Sequence, residues 1–200
     1  MKLFEKIKNR TLGKERQTQK DRITTINNSF VQGILPHIAI TDIQLEKYKE
    51  LFLVKNKIKC IYCNKNEATT IDHLFNIVKA GACSGYIDEI SNMVPSCSPC
   101  NSSKSGSSYE EWIEKQKKKS KGKRRITNPD SALKRIEDFR KSFLAVSHNI
   151  SELCKEAGIE QEYKAYLSSQ DEINNLMKKA DEQAKKIRLT LNEHLLKSKR

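Results

Sequence analysis

Two cysteine pairs, each with the spacing Cys-x-x-Cys, are the residues of this chain whose chemistry is most readily predicted. The first pair is Cys60 and Cys63, and the second is Cys97 and Cys100. Zinc prefers four soft or borderline ligands in a tetrahedron, and two such turns supply four thiolates. The sequence therefore predicts a structural Zn²⁺ site. The 33 residues between the pairs exceed the roughly 15–20 of a simple zinc ribbon, so a folded element is expected between them.

Residues between and just after the pairs have the chemistry that phosphodiester hydrolysis needs. An imidazole can serve as general base because its ordinary pKa lies near neutral pH, and His73 is the candidate. Asp72 and Asn101 offer oxygen ligands, which a hard divalent cation prefers. Asn92 could accept a hydrogen bond from the imidazole or otherwise orient it, and Lys104 could contact a phosphate. Together they predict metal-assisted hydrolysis.

Two short strands and a helix are predicted to position these residues. Residues 68–74 are predicted to be a strand because the β-branched residues Thr69, Thr70 and Ile71 favour extended backbone, and residues 90–94 have the pattern of a second strand. A helical turn is expected over residues 101–104. Because neighbouring residues on a strand point to opposite faces, Asp72 and His73 can serve one site only where the strand ends or bends.

The order and spacing of these residues resemble the HNH endonuclease family, in its zinc-clamped branch. The resemblance covers residues 60–104, under a quarter of the chain. It implies a ββα-metal (His-Me finger) fold, in which four thiolates bind structural zinc and a separate site holds Mg²⁺ or Mn²⁺. It also implies hydrolysis to 5′-phosphate and 3′-hydroxyl ends. The implied roles are general base for His73, metal ligands for Asp72 and Asn101, and positioning of the histidine for Asn92.

The predicted fold class is α+β, with a small ββα-metal module and its four-cysteine zinc site flanked by mainly helical extensions. The predicted segments are an N-terminal, partly helical extension (1–56), the zinc-clamped nuclease module (57–116), a basic linker (117–128) and a helical C-terminal region (129–200).

Capping residues and apolar periodicity predict the helices of the extensions. One helix is expected to begin at Thr41 or Asp42. Another should run from about Asn128 to Gly158, and a last one from about Gln170. The apolar stripe of the last helix indicates either antiparallel packing within one chain, which is the more frequent outcome, or a dimer interface.

The charge of the chain indicates a polyanionic partner. The formal net charge is +13 and the pI is about 9.4, and double-stranded DNA is the partner that this charge and the resemblance favour. A solvated basic surface is the alternative. Besides Lys104, the predicted DNA contacts come from one basic run, which could instead be a solvated linker. Its residues are Lys117, Lys118, Lys119, Lys121, Lys123, Arg124 and Arg125.

Other features bear on location and on the remaining cysteines and histidines. No apolar run approaches the roughly 18–20 residues of a membrane span, and the amino terminus lacks a secretory pattern. A cytoplasmic location is therefore expected, without a membrane partner. Cys83 and Cys154 are expected to be ordinary thiols. His37, His148 and His194 have no partners at ligand spacing and are expected to be packing or surface residues.

The leading prediction is a sequence-specific, double-strand DNA endonuclease of the restriction type. Because each chain would carry one active site, cutting both strands suggests a homodimer on a palindrome. The alternatives are a homing or mobile-element enzyme, a phage nicking enzyme, a non-specific nuclease, or a non-catalytic zinc module that binds nucleic acid or protein.

Overall fold

The computed structural model describes residues 2–11, 18–118 and 126–197. They fall in two compact units, one within Met1–Gln32 and Cys154–Arg200 and the other within Gly33–Leu153. The predicted nuclease module, residues 57–116, lies in the second unit, which also includes residues from both predicted extensions. Five predicted DNA contacts lie outside the described residues: Lys119, Lys121, Lys123, Arg124 and Arg125.

Helices and short strands alternate along the described chain. The helices are α1 (Lys2–Thr11), α2 (Ile23–Ile34), α3 (Asp42–Phe52), α4 (Ser98–Lys104), α5 (Tyr109–Lys118), α6 (Pro129–Ser142), α7 (Ile150–Glu156) and α8 (Glu160–Lys197), with 3₁₀ turns at Gln19–Arg22 and Ile90–Asn92. The strands are β1 (Leu53–Val54), β2 (Lys57–Ile58), β3 (Thr70–His73), β4 (Val78–Lys79), β5 (Ala82–Cys83) and β6 (Met93–Ser96).

A ββα element at the centre of the second unit is formed by β3, β6 and α4. β3 and β6 are antiparallel, with Thr70 opposite Ser96 and His73 opposite Met93. α4 follows directly on β6 and packs against β3. The predicted α+β fold class is thus confirmed. The second strand begins later than expected, because residues 90–92 form the 3₁₀ turn that leads into β6.

One tight hairpin precedes this element in the sequence and another lies between β3 and β6, and both turn through left-handed backbone. β1 and β2 join through Lys55 and Asn56, with φ of 48° and 61°. β4 and β5 join through Ala80 and Gly81, with φ of 51° and 82°. Positive φ at both central residues is the geometry of a two-residue hairpin turn that matches strand twist.

Gly85 is a position where the fold requires glycine. Its φ is +96°, and a Cβ built there would lie 2.5 Å from Ser147 Oγ and 2.6 Å from the His148 carbonyl oxygen. The His148 N–H also donates to the Gly85 carbonyl at 2.9 Å. The segment after α6 therefore packs directly on the backbone that follows β5.

The core of the second unit joins the ββα element to helices from both predicted extensions. Its buried members come from α3, the cysteine turns, the residue after β3, the 3₁₀ turn before β6, β6, α5, α6 and the residues near the two ends of α6. They include Phe52, Tyr62, Leu74, Val94, Trp112, Ile113, Ile126, Ile136, Phe139 and Phe143. Burial of this apolar surface is the main driving force for folding of the unit.

Most of the predicted helix starts are confirmed. Thr41 caps α3, accepting a hydrogen bond from Gln44 N at 3.2 Å, and Asn128 caps α6, accepting from Ser131 N at 3.0 Å. The predicted helix from 128 to 158 is interrupted, however. α6 ends at Ser142, because Phe143 adopts extended backbone and its side chain enters the core.

α8 packs on α2 and on the 3₁₀ turn Gln19–Arg22 in the first unit. The rings of Phe30 and Tyr166 lie 4.9 Å apart between centroids. The amides of Gln170 and Asn174 donate to Asn27 Oδ1 at 3.0 and 2.8 Å. α8 begins at Glu160, earlier than predicted, and its intrachain partner is the N-terminal segment. Among the described residues, no helix has both the length and the apolar character that crossing a membrane requires.

Candidate active site and metal-binding cluster

The four predicted zinc ligands converge on one point. The sulfur atoms of Cys60, Cys63, Cys97 and Cys100, here called the thiol cluster, all lie within 4.8 Å of one another. Tetrahedral zinc with Zn–S bonds of about 2.3 Å requires sulfur atoms roughly 3.8 Å apart, and Cys63 Sγ lies 3.8 Å from Cys97 Sγ. The four cysteines are therefore positioned to bind a metal ion.

Cysteines of the thiol cluster differ in pKa, so they do not lose their protons equally easily. The hydrogen bond with Cys100 lowers the pKa of Cys60 to about 4, and the same hydrogen bond raises the pKa of Cys100. The Asn66 amide also lies 3.5 Å from Cys97 Sγ, where it can donate. The cluster thus favours one thiolate even without a cation, and a bound cation would displace the remaining protons.

A guanidinium from α6 supports the first cysteine turn. Arg135 donates from Nε to the Ile61 carbonyl at 2.7 Å and from Nη2 to the Tyr62 carbonyl at 2.8 Å. Its positive charge also lies near Cys60 and Cys63. Positive charge beside a thiolate cluster offsets the negative charge that the ligands concentrate there.

Tyr62 connects the thiol cluster to β3. Its side chain is fully buried, and its hydroxyl donates to Asp72 Oδ2 at 2.5 Å. Burial and the neighbouring Asp72 charge raise the pKa of Tyr62, so the hydroxyl keeps its proton and acts as the donor. A residue within the first cysteine turn therefore fixes the carboxylate next to the candidate base.

Lys104 lies in the interior of the second unit. From the sequence, it was expected to contact a phosphate. Its ammonium is 3.1 Å from Asp72 Oδ2, and it donates to the His73 carbonyl at 3.0 Å and to Asn76 Oδ1 at 3.3 Å. Its side chain is 0% exposed. Three acceptors thus satisfy its three N–H groups, and the ammonium is not available to a phosphate at the surface.

His73 is the last residue of β3, and its ring leaves the sheet on the side opposite Asp72. Ring atom Nε2 lies 2.9 Å from Asp88 Oδ1. The side chain keeps 29% of its surface exposed, so solvent reaches part of the ring. Asp72 faces Tyr62 and Lys104, as the alternation of side chains along a strand requires. Because β3 ends at His73, the two residues lie at a strand end, which is the condition under which both can serve one site.

Asp88 also binds a second histidine. Its Oδ2 lies 3.0 Å from His37 Nδ1, while its Oδ1 faces His73. Partial burial acts to raise the pKa of Asp88, but the hydrogen bonds from both histidines outweigh it, so the pKa lies below its usual value. Asp88 is therefore a carboxylate near neutral pH.

Asn92 is completely buried and binds backbone groups. Its Oδ1 accepts from Phe75 N at 2.8 Å, and its Nδ2 donates to the carbonyls of Phe75 and Ile87 at 3.0 and 3.3 Å. A hydrogen bond between Asn92 and the imidazole, one of the two arrangements expected, is not present. The amide instead joins the segment that follows His73 to the segment that precedes Asp88.

Asn101 on α4 lies against β3. Its Nδ2 is 3.3 Å from both Thr70 Oγ1 and the Ile71 carbonyl. This orientation leaves the amide oxygen of Asn101 without a hydrogen-bond partner among the described residues. The oxygen is therefore free to accept a ligand.

The structure thus brings Asp72, His73, Asn92, Asn101 and Lys104 around β3 and α4. Of the basic run, Lys117 lies within 2.9 Å of Glu114 and 3.1 Å of Asp130, and Lys118 is exposed on α5. Sequence reasoning missed Tyr62, Asp88 and His37. Tyr62 carried a weak signal, since a large aromatic residue stands inside a cysteine turn.

Replacing Lys104 with methionine should destabilise the second unit by about 3–5 kcal/mol, because it leaves the buried Asp72 carboxylate without its cation. Equilibrium unfolding in urea measures the change. Lys118→Met, which removes an exposed lysine on α5, serves as the control and should be nearly neutral. Equal stability of the two variants would contradict a structural role for the Lys104–Asp72 pair.

The comparison with known families assigns the class of this site. Residues 60–107 match the model of the HNH endonuclease family, so this segment is an HNH domain and contains the thiol cluster and the whole ββα element. The match spans about a quarter of the chain.

A protein of Bacillus subtilis (strain 168) named "SPbeta prophage-derived putative HNH endonuclease YoqL" is 30% identical over 128 residues. The aligned region is 59% of this chain and 54% of that protein, so the chain spans about half the length of this relative. No solved structure matches the chain significantly.

Proposed function

We propose that this chain is a metal-dependent DNA endonuclease that hydrolyses phosphodiester bonds. The observation that carries the proposal is the partly exposed ring of His73, the residue that ends β3 of the HNH domain. One ring nitrogen is bound by Asp88, and the other has no hydrogen-bond partner among the described residues. A free imidazole nitrogen at the surface can take a proton from water, which is the step that makes water a nucleophile.

His73 is the proposed general base. It takes a proton from a water molecule while the oxygen of that water attacks phosphorus. The bond between phosphorus and O3′ breaks, and the products carry 5′-phosphate and 3′-hydroxyl ends. The Asp88 carboxylate facing the ring stabilises the positive charge that the imidazole gains with the proton.

Asp72 and Asn101 are the proposed ligands of a catalytic divalent ion, Mg²⁺ or Mn²⁺. Their donors are oxygen atoms, which such ions prefer, and the Asn101 amide oxygen has no protein partner among the described residues. The side chain of Asp72 is 10% exposed, and its carboxylate forms an ion pair with the Lys104 ammonium. Such an ion would neutralise charge on the reacting phosphate and on the leaving oxygen.

The ion proposed for the thiol cluster is zinc, with a structural role. Four thiolates leave no open position for substrate in a tetrahedral site, and this is typical of structural zinc. Arg135 and Tyr62 connect the cluster to α6 and to Asp72, so zinc would hold the strand that carries His73. Catalysis and structure are thereby assigned to different metal sites.

Double-stranded DNA is the proposed substrate. The net charge of +13 favours binding to a phosphate backbone, and release of counterions would make the affinity depend on salt. Lys117, Lys118 and the basic residues that follow them in sequence are proposed to contact the backbone. Cutting of both strands by one active site per chain favours a homodimer.

Restriction-type specificity is the first proposal for the biological role, and a phage or mobile-element HNH nuclease is the second. The second is favoured by one specific observation, the similarity to a protein whose name describes it as prophage-derived. The two differ in product, because a restriction enzyme cuts both strands at defined sites and a nicking enzyme cuts one.

Incubation of the purified chain with supercoiled plasmid and Mg²⁺ or Mn²⁺ tests the proposal. Discrete linear fragments would support sequence-specific double-strand cleavage, and accumulation of nicked circles would support the nicking alternative. A smear would support a non-specific nuclease. Cleavage should stop when the divalent ion is omitted, and equal cleavage without it would contradict metal dependence. Intact DNA under all conditions would count against nuclease activity.

A further inference from the structure

Two histidines from distant parts of the sequence bind the two oxygens of one carboxylate. His73 Nε2 lies 2.9 Å from Asp88 Oδ1, and His37 Nδ1 lies 3.0 Å from Asp88 Oδ2. His73 ends β3, Asp88 precedes the 3₁₀ turn before β6, and His37 lies between α2 and α3, outside the segment that matches the HNH family. The unit that contains the HNH domain thus has a His37–Asp88–His73 chain of hydrogen bonds.

Hydrogen bonds to the backbone hold His37, Asp88 and His73 in place. His37 and Asp88 form a parallel bridge, in which Ile38 N lies 3.4 Å from the Asp88 carbonyl. The buried Asn92 amide binds the carbonyl of Ile87, the residue before Asp88, and both backbone groups of Phe75, two residues after His73. The separation of Asp88 and His73 is therefore set by a packed framework, whereas exposed ion pairs usually lack one.

The positions of the hydrogens between His37, Asp88 and His73 follow from the chemistry of a carboxylate and two imidazoles. A carboxylate can only accept hydrogen bonds, so each histidine nitrogen that faces Asp88 carries a hydrogen. His73 then donates from Nε2. In the neutral ring the lone pair must be on Nδ1, because only one of the two nitrogens keeps a hydrogen. Asp88 thereby determines which atom of His73 can take a proton.

We propose that Asp88, held in place by His37, is the positioning residue that sets the His73 tautomer and makes Nδ1 the atom that receives the proton from water. This inference rests on the proposed function of His73 as general base. The proton moves from water to Nδ1, the water oxygen attacks phosphorus, and the departing O3′ takes a proton from solvent. Asp88 remains a carboxylate throughout and stabilises the imidazolium through the hydrogen bond to Nε2–H.

The tautomer can be measured without any cleavage assay. In the full chain labelled with ¹⁵N-histidine, long-range ¹H–¹⁵N spectra distinguish a protonated ring nitrogen from an unprotonated one. His73→Gln assigns the signals. We expect Nε2–H in the wild-type chain at a pH where the ring is neutral, and a mixture of both tautomers in Asp88→Ala. An Nδ1–H tautomer in the wild-type chain, or an unchanged spectrum in Asp88→Ala, would overturn the proposal.

Cleavage kinetics test the consequence for catalysis. Asp88→Ala should lower the single-turnover cleavage rate roughly 10- to 100-fold, with DNA affinity within about twofold of wild type, because only the base loses its orientation. Asp88→Asn should restore part of the rate, since its amide oxygen can still accept from Nε2–H. His37→Ala should give a smaller loss than Asp88→Ala, because the His37 ring binds the Asp88 carboxylate and acts on His73 only through it.

Glu89→Ala, which removes the neighbouring acid, is the matched control and should cleave at the wild-type rate. A wild-type cleavage rate in Asp88→Ala would overturn the positioning role. If the wild-type chain cleaves no DNA, the proposed function fails, and the ring-nitrogen spectrum alone then decides whether Asp88 sets the tautomer. Failure of the inference and failure of the proposed function are therefore distinguishable.

Discussion

The His73→Ala variant is expected to cleave DNA at least roughly 10²–10⁴-fold more slowly than the wild-type chain, because it removes the proposed general base. Its affinity for DNA should be unchanged, since phosphate contacts from basic residues dominate binding. Single-turnover cleavage of a short duplex gives the rate. A fluorescence anisotropy titration, with Ca²⁺ in place of Mg²⁺, gives the affinity separately.

His194→Ala is the matched control, because it changes a histidine on α8 that lies outside the HNH domain. It should retain the wild-type rate. The His73 side chain is 29% exposed, so its loss should leave the thermal midpoint nearly unchanged. A near-normal rate for His73→Ala would transfer the role of base to another group. A large fall in its thermal midpoint would mean that lost rate reflects unfolding.

The Cys100→Ser variant is expected to lose bound metal and the cooperative fold of the second unit. Structural zinc contributes on the order of 10–16 kcal/mol in small zinc-binding peptides, which exceeds the typical net stability of a domain, about 5–15 kcal/mol. Cys100 is buried in the same core cluster as residues of α5 and α6. Elemental analysis of the purified variant measures metal content, and thermal unfolding followed by circular dichroism measures the fold.

Cys154→Ser is the control, because Cys154 lies outside the thiol cluster. It should keep one metal ion per chain and the wild-type transition. Removal of metal from the wild-type chain with a strong chelator should reproduce the Cys100→Ser result. A cooperative transition that persists after verified loss of metal would refute the structural role. Iron in place of zinc in the wild-type chain would reject the identity of the ion and keep the ligand set.

The parts of the site that follow from local spacing could be predicted from the sequence. A Cys-x-x-Cys turn places two thiols on the same side of a tight bend, so the thiol cluster required only that the two turns meet. The starts of α3 and α6 were also predictable, because their caps involve residues three positions apart. Such contacts depend on short stretches of chain, where residue type restricts backbone geometry strongly.

The contacts that depend on tertiary packing could not be predicted. Lysine is rarely buried without a partner, and the acceptors around Lys104 become apparent only when α4 packs on β3. The pairing of His37 with Asp88 joins residues 51 positions apart, and no pattern in the sequence connects them. The partners of Asn92 could not be predicted for the same reason, because they are backbone groups of two loops.

The place of Arg135 in the fold bears on how this HNH domain could be passed between genes. The guanidinium of this α6 residue holds the first cysteine turn through two carbonyls, and Ile136 and Phe139 of the same helix complete the core. A gene fragment that encoded only residues 60–107 would carry the motif without the helix that supports it. The HNH domain and the helices that support it lie within Gly33–Leu153, so a recombination event that moved the motif with its support would exchange a segment much longer than the motif.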